Sequence, residues 1–212
     1  LSGSILYMIN HGLSTGALFL LIGMVYERFH TRSMKELKGL AGLMPVWATF
    51  MVFFTMASVG LPGLNGFVSE FLCLMGTFQS SNAWGSGLWN TVGVQVGATP
   101  GELGPWFAAV AGTGMIIAAM YLLYMVGNVV WGKLPDALAA HAGHADHGHG
   151  GHGHGGHGQG GHGQGGHGSH EASALPRDLS AREIGILIPL AVLCIALGVY
   201  PKPVLEAMKD PI

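Results

Sequence analysis

One carboxylate, Glu70, stands between two stretches of 31 residues each, 39–69 and 71–101, that contain no Asp, Glu, Lys or Arg. Immediately before it runs Gly60-Leu61-Pro62-Gly63-Leu64-Asn65-Gly66, which no regular helix passes through comfortably. An ionisable side chain in hydrocarbon costs about 2.5–3.5 kcal/mol on insertion scales and persists where it faces a partner or a hydrated path. A membrane helix that breaks at the same place is the usual geometry of an ion or substrate site. The chemistry this predicts is proton transfer, with Glu70 as the relay acid. The plainer reading is a structural carboxylate bonded to the broken backbone, and the coincidence of break and charge favours the relay.

His11 is the one histidine inside an apolar run, flanked by Asn10 and Gly12-Leu13-Ser14. An imidazole takes and releases a proton under modest changes of field. A lone histidine is more often a packing residue, but its company with Glu70 makes it the second relay candidate. Ser14, Thr15, Thr55, Ser58, Asn65, Ser69, Tyr121 and Tyr124 are of types that hold water between ionisable groups. The alternative for each is a helix-to-helix hydrogen bond of about 0.6 kcal/mol. Ser58 and Asn65 flank the break and are the first choices for a water path, with Ser14 beside them on the His11 side.

These groups need a membrane scaffold, and the composition supplies one. Of 212 residues, 50% are hydrophobic and only 9% charged, against about 25% charged in a soluble domain. Mean hydropathy is +0.45. A span needs about 20 apolar residues, and charge-free runs cover 1–26, 39–69, 71–101, 103–132 and 184–201. The fold class is therefore an all-α polytopic membrane helix bundle. Helices are expected over 3–27, 44–60, 67–79, 105–131 and 183–200, with Pro45 suited to a first turn. The two short pieces read as halves of one discontinuous span, 44–79. Gly12 and Gly16 form a small-xxx-small pair that invites a close neighbouring helix. The organisation is thus 1–135 transmembrane, 136–182 a loop, and 183–212 a last span and tail. Formal net charge is −2, which gives no basis for nucleic-acid binding. Cys73 and Cys194 lie in apolar segments and read as buried thiols.

The loop 28–38 carries four Lys/Arg and the loop 133–182 carries three, while 80–103 carries none. The positive-inside rule makes the first two cytoplasmic. Glu27, Arg28 and Arg32 read as interfacial anchors, with coupling to another subunit as the alternative. Residues 141–170 hold 10 His and 14 Gly in 30 positions. Such a tract cannot pack a core and is expected to be disordered. Its imidazoles, His147, His149, His152 and His154 among them, would bind divalent metal adventitiously. A tolerated insertion is preferred here over a metal-buffering or pH-sensing device.

His11-Gly12-Leu13-Ser14 with Ala17-Leu18-Phe19, then Tyr26-Glu27-Arg28 and His30-Thr31-Arg32, then Gly60-Leu61-Pro62-Gly63 with Asn65-Gly66-Phe67 and Glu70-Phe71, closely resemble one family. It is the chain M (subunit 4) family of NADH-quinone oxidoreductase, respiratory complex I. Tyr200-Pro201 resembles the family's ending. The resemblance implies an antiporter-like, proton-translocating subunit with inverted five-helix repeats, of which this chain would hold the second broken helix and the last spans. It places Glu70 on the family's carboxylate in that helix and His11 on a histidine of the central hydrophilic axis. Related antiporter-like chains usually carry Lys where this one has Glu70, which favours chain M. The His/Gly tract and the long 80–103 loop depart from the family pattern.

The expectation is a membrane subunit that relays protons through Glu70 and His11 and binds no cofactor itself. NADH, FMN, iron–sulfur clusters and quinone would belong to other subunits of the complex. Its partners would be those membrane subunits and the lipid bilayer, in a bacterial inner membrane. With Leu1 at its start, the chain reads as the C-terminal part of a longer protein. Two alternatives stand beside this one. A cation/proton antiporter subunit shares the fold, and a metal-ion transporter would explain the histidine tract but wants more intramembrane ligands than His11 and Glu70.

Overall fold

The computed structural model describes residues 2–79, 105–133 and 177–208. Among these it is all helix: α1 (Ser2–Phe29), a 3-10 turn (Leu40–Gly42), α2 (Pro45–Val59), α3 (Asn65–Gln79), α4 (Pro105–Trp131), α5 (Ala181–Val199) and the short α6 (Lys202–Ala207). Helices α1, α4 and α5 are each long and apolar enough to cross a membrane. The expected 80–103 loop and the 141–170 histidine tract lie outside the described residues.

The break is where the sequence pattern puts it, and local chemistry explains both edges. Gly60 ends α2 in the left-handed region, with φ 81° and ψ 44°, a conformation that costs other L-residues about 1–2 kcal/mol. Its N–H closes on Ala57 O at 3.4 Å, and the Leu64 N–H closes a turn on Leu61 O at 3.0 Å. Helix α3 then restarts at Asn65, two residues before the expected 67. Gly66 permits this, because a Cβ there would collide with the carbonyl of Ala57.

Three contacts show how α2 and α3 lie along α1. Trp47 Nε1 donates to Leu21 O at 2.9 Å. Asn65 Nδ2 donates to Asn10 O at 3.1 Å. Ser4 Oγ and Cys73 Sγ are 4.0 Å apart. Residues 47, 65 and 73 thus climb α1 from 21 through 10 to 4. The two half-helices run in series, as one discontinuous element antiparallel to α1. Below the break, Leu21, Met24, Val25, Trp47, Met51, Phe54, Val126, Val130, Leu187 and Cys194 form a buried apolar core.

A polar clamp holds the other end. The Arg28 guanidinium pairs both nitrogens with Glu183, at 2.9 Å to Oε1 and 2.7 Å to Oε2. It also donates to Met24 O at 2.8 Å and to Arg177 O at 2.9 Å. Asp178 accepts from the backbone N–H groups of Val46 and Trp47 at 2.7 and 3.1 Å. Asp178 is therefore the cap of α2, where a carboxylate also meets the positive end of the helix dipole. Ser180 and Glu183 form a capping box that starts α5 at Ala181.

Two expectations change here. Residues 177–180, assigned by composition to the histidine-rich loop, are tied to the helices: the Arg177 and Asp178 carbonyls accept from Arg28 of α1, the Asp178 carboxylate caps α2, and Ser180 caps α5. The close neighbour expected at Gly12 and Gly16 is not found among the described residues: a Cβ at either meets nothing within 4 Å. Both line an apolar groove between α1 and α5, with Leu190, Leu193 and Leu197 on its far wall.

Candidate functional site

The stripe Gly3, Leu6, Asn10, Ser14, Ala17, Leu21 and Met24 is the buried face of α1. Its spacing of three and four residues is that of one helix face. It is apolar at both ends and polar in the middle, at the level of the break. Asn10 and Asn65, exposed 1% and 0%, exchange amide hydrogen bonds: Asn10 Nδ2 donates to Asn65 O at 2.7 Å, and Asn65 Nδ2 returns to Asn10 O. Asn10 Nδ2 also reaches Ser69 Oγ at 3.2 Å. Ser14 Oγ bonds Asn10 O within its own helix at 3.1 Å.

Glu70 lies half-buried on the second turn of α3, folded back over the break. A Cβ at Gly60 would stand 2.5 Å from Glu70 Oε2, so the glycine makes room for the carboxylate as well as for the turn. Around the break, four polar oxygens are buried without a hydrogen-bond partner among the described residues: Asn10 Oδ1, Ser58 Oγ, Asn65 Oδ1 and Glu70 Oε2. Buried polar atoms are nearly always satisfied, so each such group calls for an explanation. Three of the four belong to residues singled out from sequence: Ser58, Asn65 and Glu70.

His11 is elsewhere. It is exposed on α1, one position off the buried stripe. Its ring stacks on Tyr7 at 5.8 Å between centroids, and its Nδ1 is 3.3 Å from Thr15 Oγ1. Of these two neighbours, Asn10 and not His11 hydrogen-bonds to α3. Sequence reasoning passed over Asn10 because it weighed charge before periodicity. The signal was available, since residues 3, 6, 10, 14, 17 and 21 keep helical spacing.

Among the described residues no three His, Cys, Asp or Glu side chains are grouped to hold a metal ion. Cys194 is buried in the apolar core and Cys73 faces Ser4. His147, His149, His152 and His154 lie outside the described residues.

Comparison with known proteins agrees with this architecture. The family profile described as "NADH:quinone oxidoreductase/Mrp antiporter, TM" matches residues 1–95. NADH-quinone oxidoreductase subunit M of Rhodobacter capsulatus is 32% identical over 96% of this chain and 29% of its own length. NADH-ubiquinone oxidoreductase chain 4 of Arabidopsis thaliana is 33% identical over 100% of this chain and 31% of its own. The chain thus spans about three-tenths of the curated relatives it matches. Among solved structures, respiratory complex I from Thermus thermophilus with bound NADH superposes on 98% of this chain and 33% of the matched one, with a TM-score of 0.60 and 26% identity. On profile, relatives and fold together, the chain matches the subunit M (chain 4) family of complex I along its whole length.

Proposed function

We propose that the chain forms part of a proton-translocating membrane subunit of NADH:quinone oxidoreductase, with Glu70 as a proton-relay residue beside the helix break. The observation that carries this is the Glu70 carboxyl oxygen, buried over Gly60 without a partner among the described residues. Its neighbours Ser58, Asn65 and Asn10 hold further unsatisfied oxygens. Oxygens of this kind bind water well, and a string of waters is the ordinary conductor of protons to a buried acid. Ser14 lies one turn along α1 from Asn10, at the edge of this set. His11 would serve as the second relay, on the neighbouring face of α1.

In this reading the subunit does no redox chemistry. The NADH, flavin, iron–sulfur and quinone steps belong to other subunits, and their turnover shifts charge and hydration at the relay groups. Two contacts support placing the loops 28–38 and 133–182 at one membrane surface: Arg28 bonds Arg177 O, and a Cβ at Gly132 would lie 3.1 Å from Lys38 Cβ. Their Lys/Arg excess makes that surface cytoplasmic.

The test is Glu70→Gln in the assembled complex in native membrane vesicles. Protons moved per NADH oxidised should fall several-fold while the amount of assembled complex stays the same. A wild-type proton yield rejects the relay role. The family description also names Mrp antiporters, which favours cation/proton antiport as the second reading. Transport of Na⁺ or K⁺ by the purified assembly, abolished by the same substitution, would select it.

A further inference from the structure

We propose that Tyr7 links Glu70 to His11, so that the two relay groups communicate through its phenol. The inference rests on Glu70 acting as the relay acid. It begins from register. Gly3 sits against α3 so closely that a Cβ there would come 2.9 Å from Leu72 Cβ and 3.2 Å from Cys73 N. Ser4 Oγ is 4.0 Å from Cys73 Sγ, and seven residues beyond Gly3, Asn10 reaches Asn65 O and Ser69 Oγ. Moving from residue 3 to 10 on α1 therefore moves from 72–73 back to 65–69 on α3. Tyr7 comes level with Glu70.

The surroundings of the phenol agree. Tyr7 is within Coulomb range of Glu70, of Cys73 and of Tyr121 on α4. On its other side the Tyr7 ring stacks on His11, with an interplanar angle of 20°, and His11 continues to Thr15 Oγ1. Tyr7, His11 and Thr15 stand at i, i+4 and i+8 on one face of α1, and the head of that file abuts the Glu70 level. This also resolves what the fold left open. His11 lies off the buried stripe, and Tyr7 is the residue one turn away that faces both it and α3.

The chemistry needs no oxidant. A phenol both donates and accepts. A proton leaving the Glu70 carboxyl binds the phenol oxygen as the phenol's own proton passes to the unprotonated ring nitrogen of His11, leaving a carboxylate and an imidazolium. One O–H bond forms as another breaks, and the tyrosine ends neutral with its electrons unchanged.

Tyr7→Phe in the assembled complex isolates the hydroxyl, since the ring and its stack on His11 remain. Protons moved per NADH oxidised should fall at least two-fold, with the amount of assembled complex at the wild-type level. A wild-type yield in Tyr7→Phe beside a reduced yield in Glu70→Gln overturns the link and leaves the Glu70 reading standing. Wild-type yields in both overturn the Glu70 reading itself. A second measurement uses the unsubstituted protein and is independent of assembly. With isotope-labelled tyrosine, the NADH-driven infrared difference spectrum should contain a tyrosine C–O band that rises and falls with the Glu70 carboxyl band. A spectrum with the carboxyl change and no tyrosine change counts against the link.

Discussion

The two polar regions of this chain are opposites. At the Arg28 clamp, buried charge is matched group by group: the guanidinium meets a carboxylate and three carbonyls, and Asp178 and Glu183 each cap a helix. At the break, the polar atoms are buried but under-matched, with four oxygens lacking partners among the described residues. Both regions bury ionisable groups in an apolar bundle. One spends them on structure, since hydrogen bonds to charged groups contribute about 1.5–3 kcal/mol each. The other leaves them unmatched, which is what the proposed relay requires of a group that gains and loses protons. A saturated acid is a poor relay, and an unsaturated one is a poor strut.

That contrast can be broken from either side. The largest effect is expected at the clamp. Arg28→Leu leaves Glu183 without its cation, where both side chains are 16% exposed, and should cost about 1.5–3 kcal/mol, the range for hydrogen bonds to charged groups. Its readouts are the thermal stability and the amount of assembled complex, and whatever assembles should still pump with wild-type yield. A stable variant with poor pumping would reverse the assignment of the two regions. Gly60→Ala is intermediate. The left-handed backbone adds about 1–2 kcal/mol, and the new methyl takes the space of Glu70 Oε2. Proton yield should fall more than stability does, and equal losses would make the break merely structural. Ser180→Ala is the smallest. It removes one half of the capping box and should cost about 1 kcal/mol, read as a small drop in melting temperature with pumping unchanged.

Much of this was legible in the chain itself. The helix break needed only Gly60, Pro62, Gly63 and Gly66 in a row, because backbone conformation is a local matter. The choice of Glu70 as a candidate needed only its isolation among uncharged residues, because the cost of a charge in hydrocarbon applies whatever the neighbours. Asn10 was harder, as its role depends on which side of α1 meets α3. The clamp was hardest. Arg28 and Glu183 are 155 positions apart, and no local pattern says that an arginine in the last turn of α1 finds a carboxylate beyond the histidine tract. Residues 177–180 look like solvated loop until their partners are known.

Helix α5 joins the two regions. Its first turn is pinned through Glu183 to Arg28. Near its other end, Gly198 rests on the backbone at Gly63 and Leu64, where a Cβ would come within 2.5 Å. The intervening rod is about 25 Å long at the rise of an α-helix. Any tilt of that rod about its pinned foot sweeps its tip across the backbone of the break, so a push at the charged surface arrives beside Glu70 as a displacement.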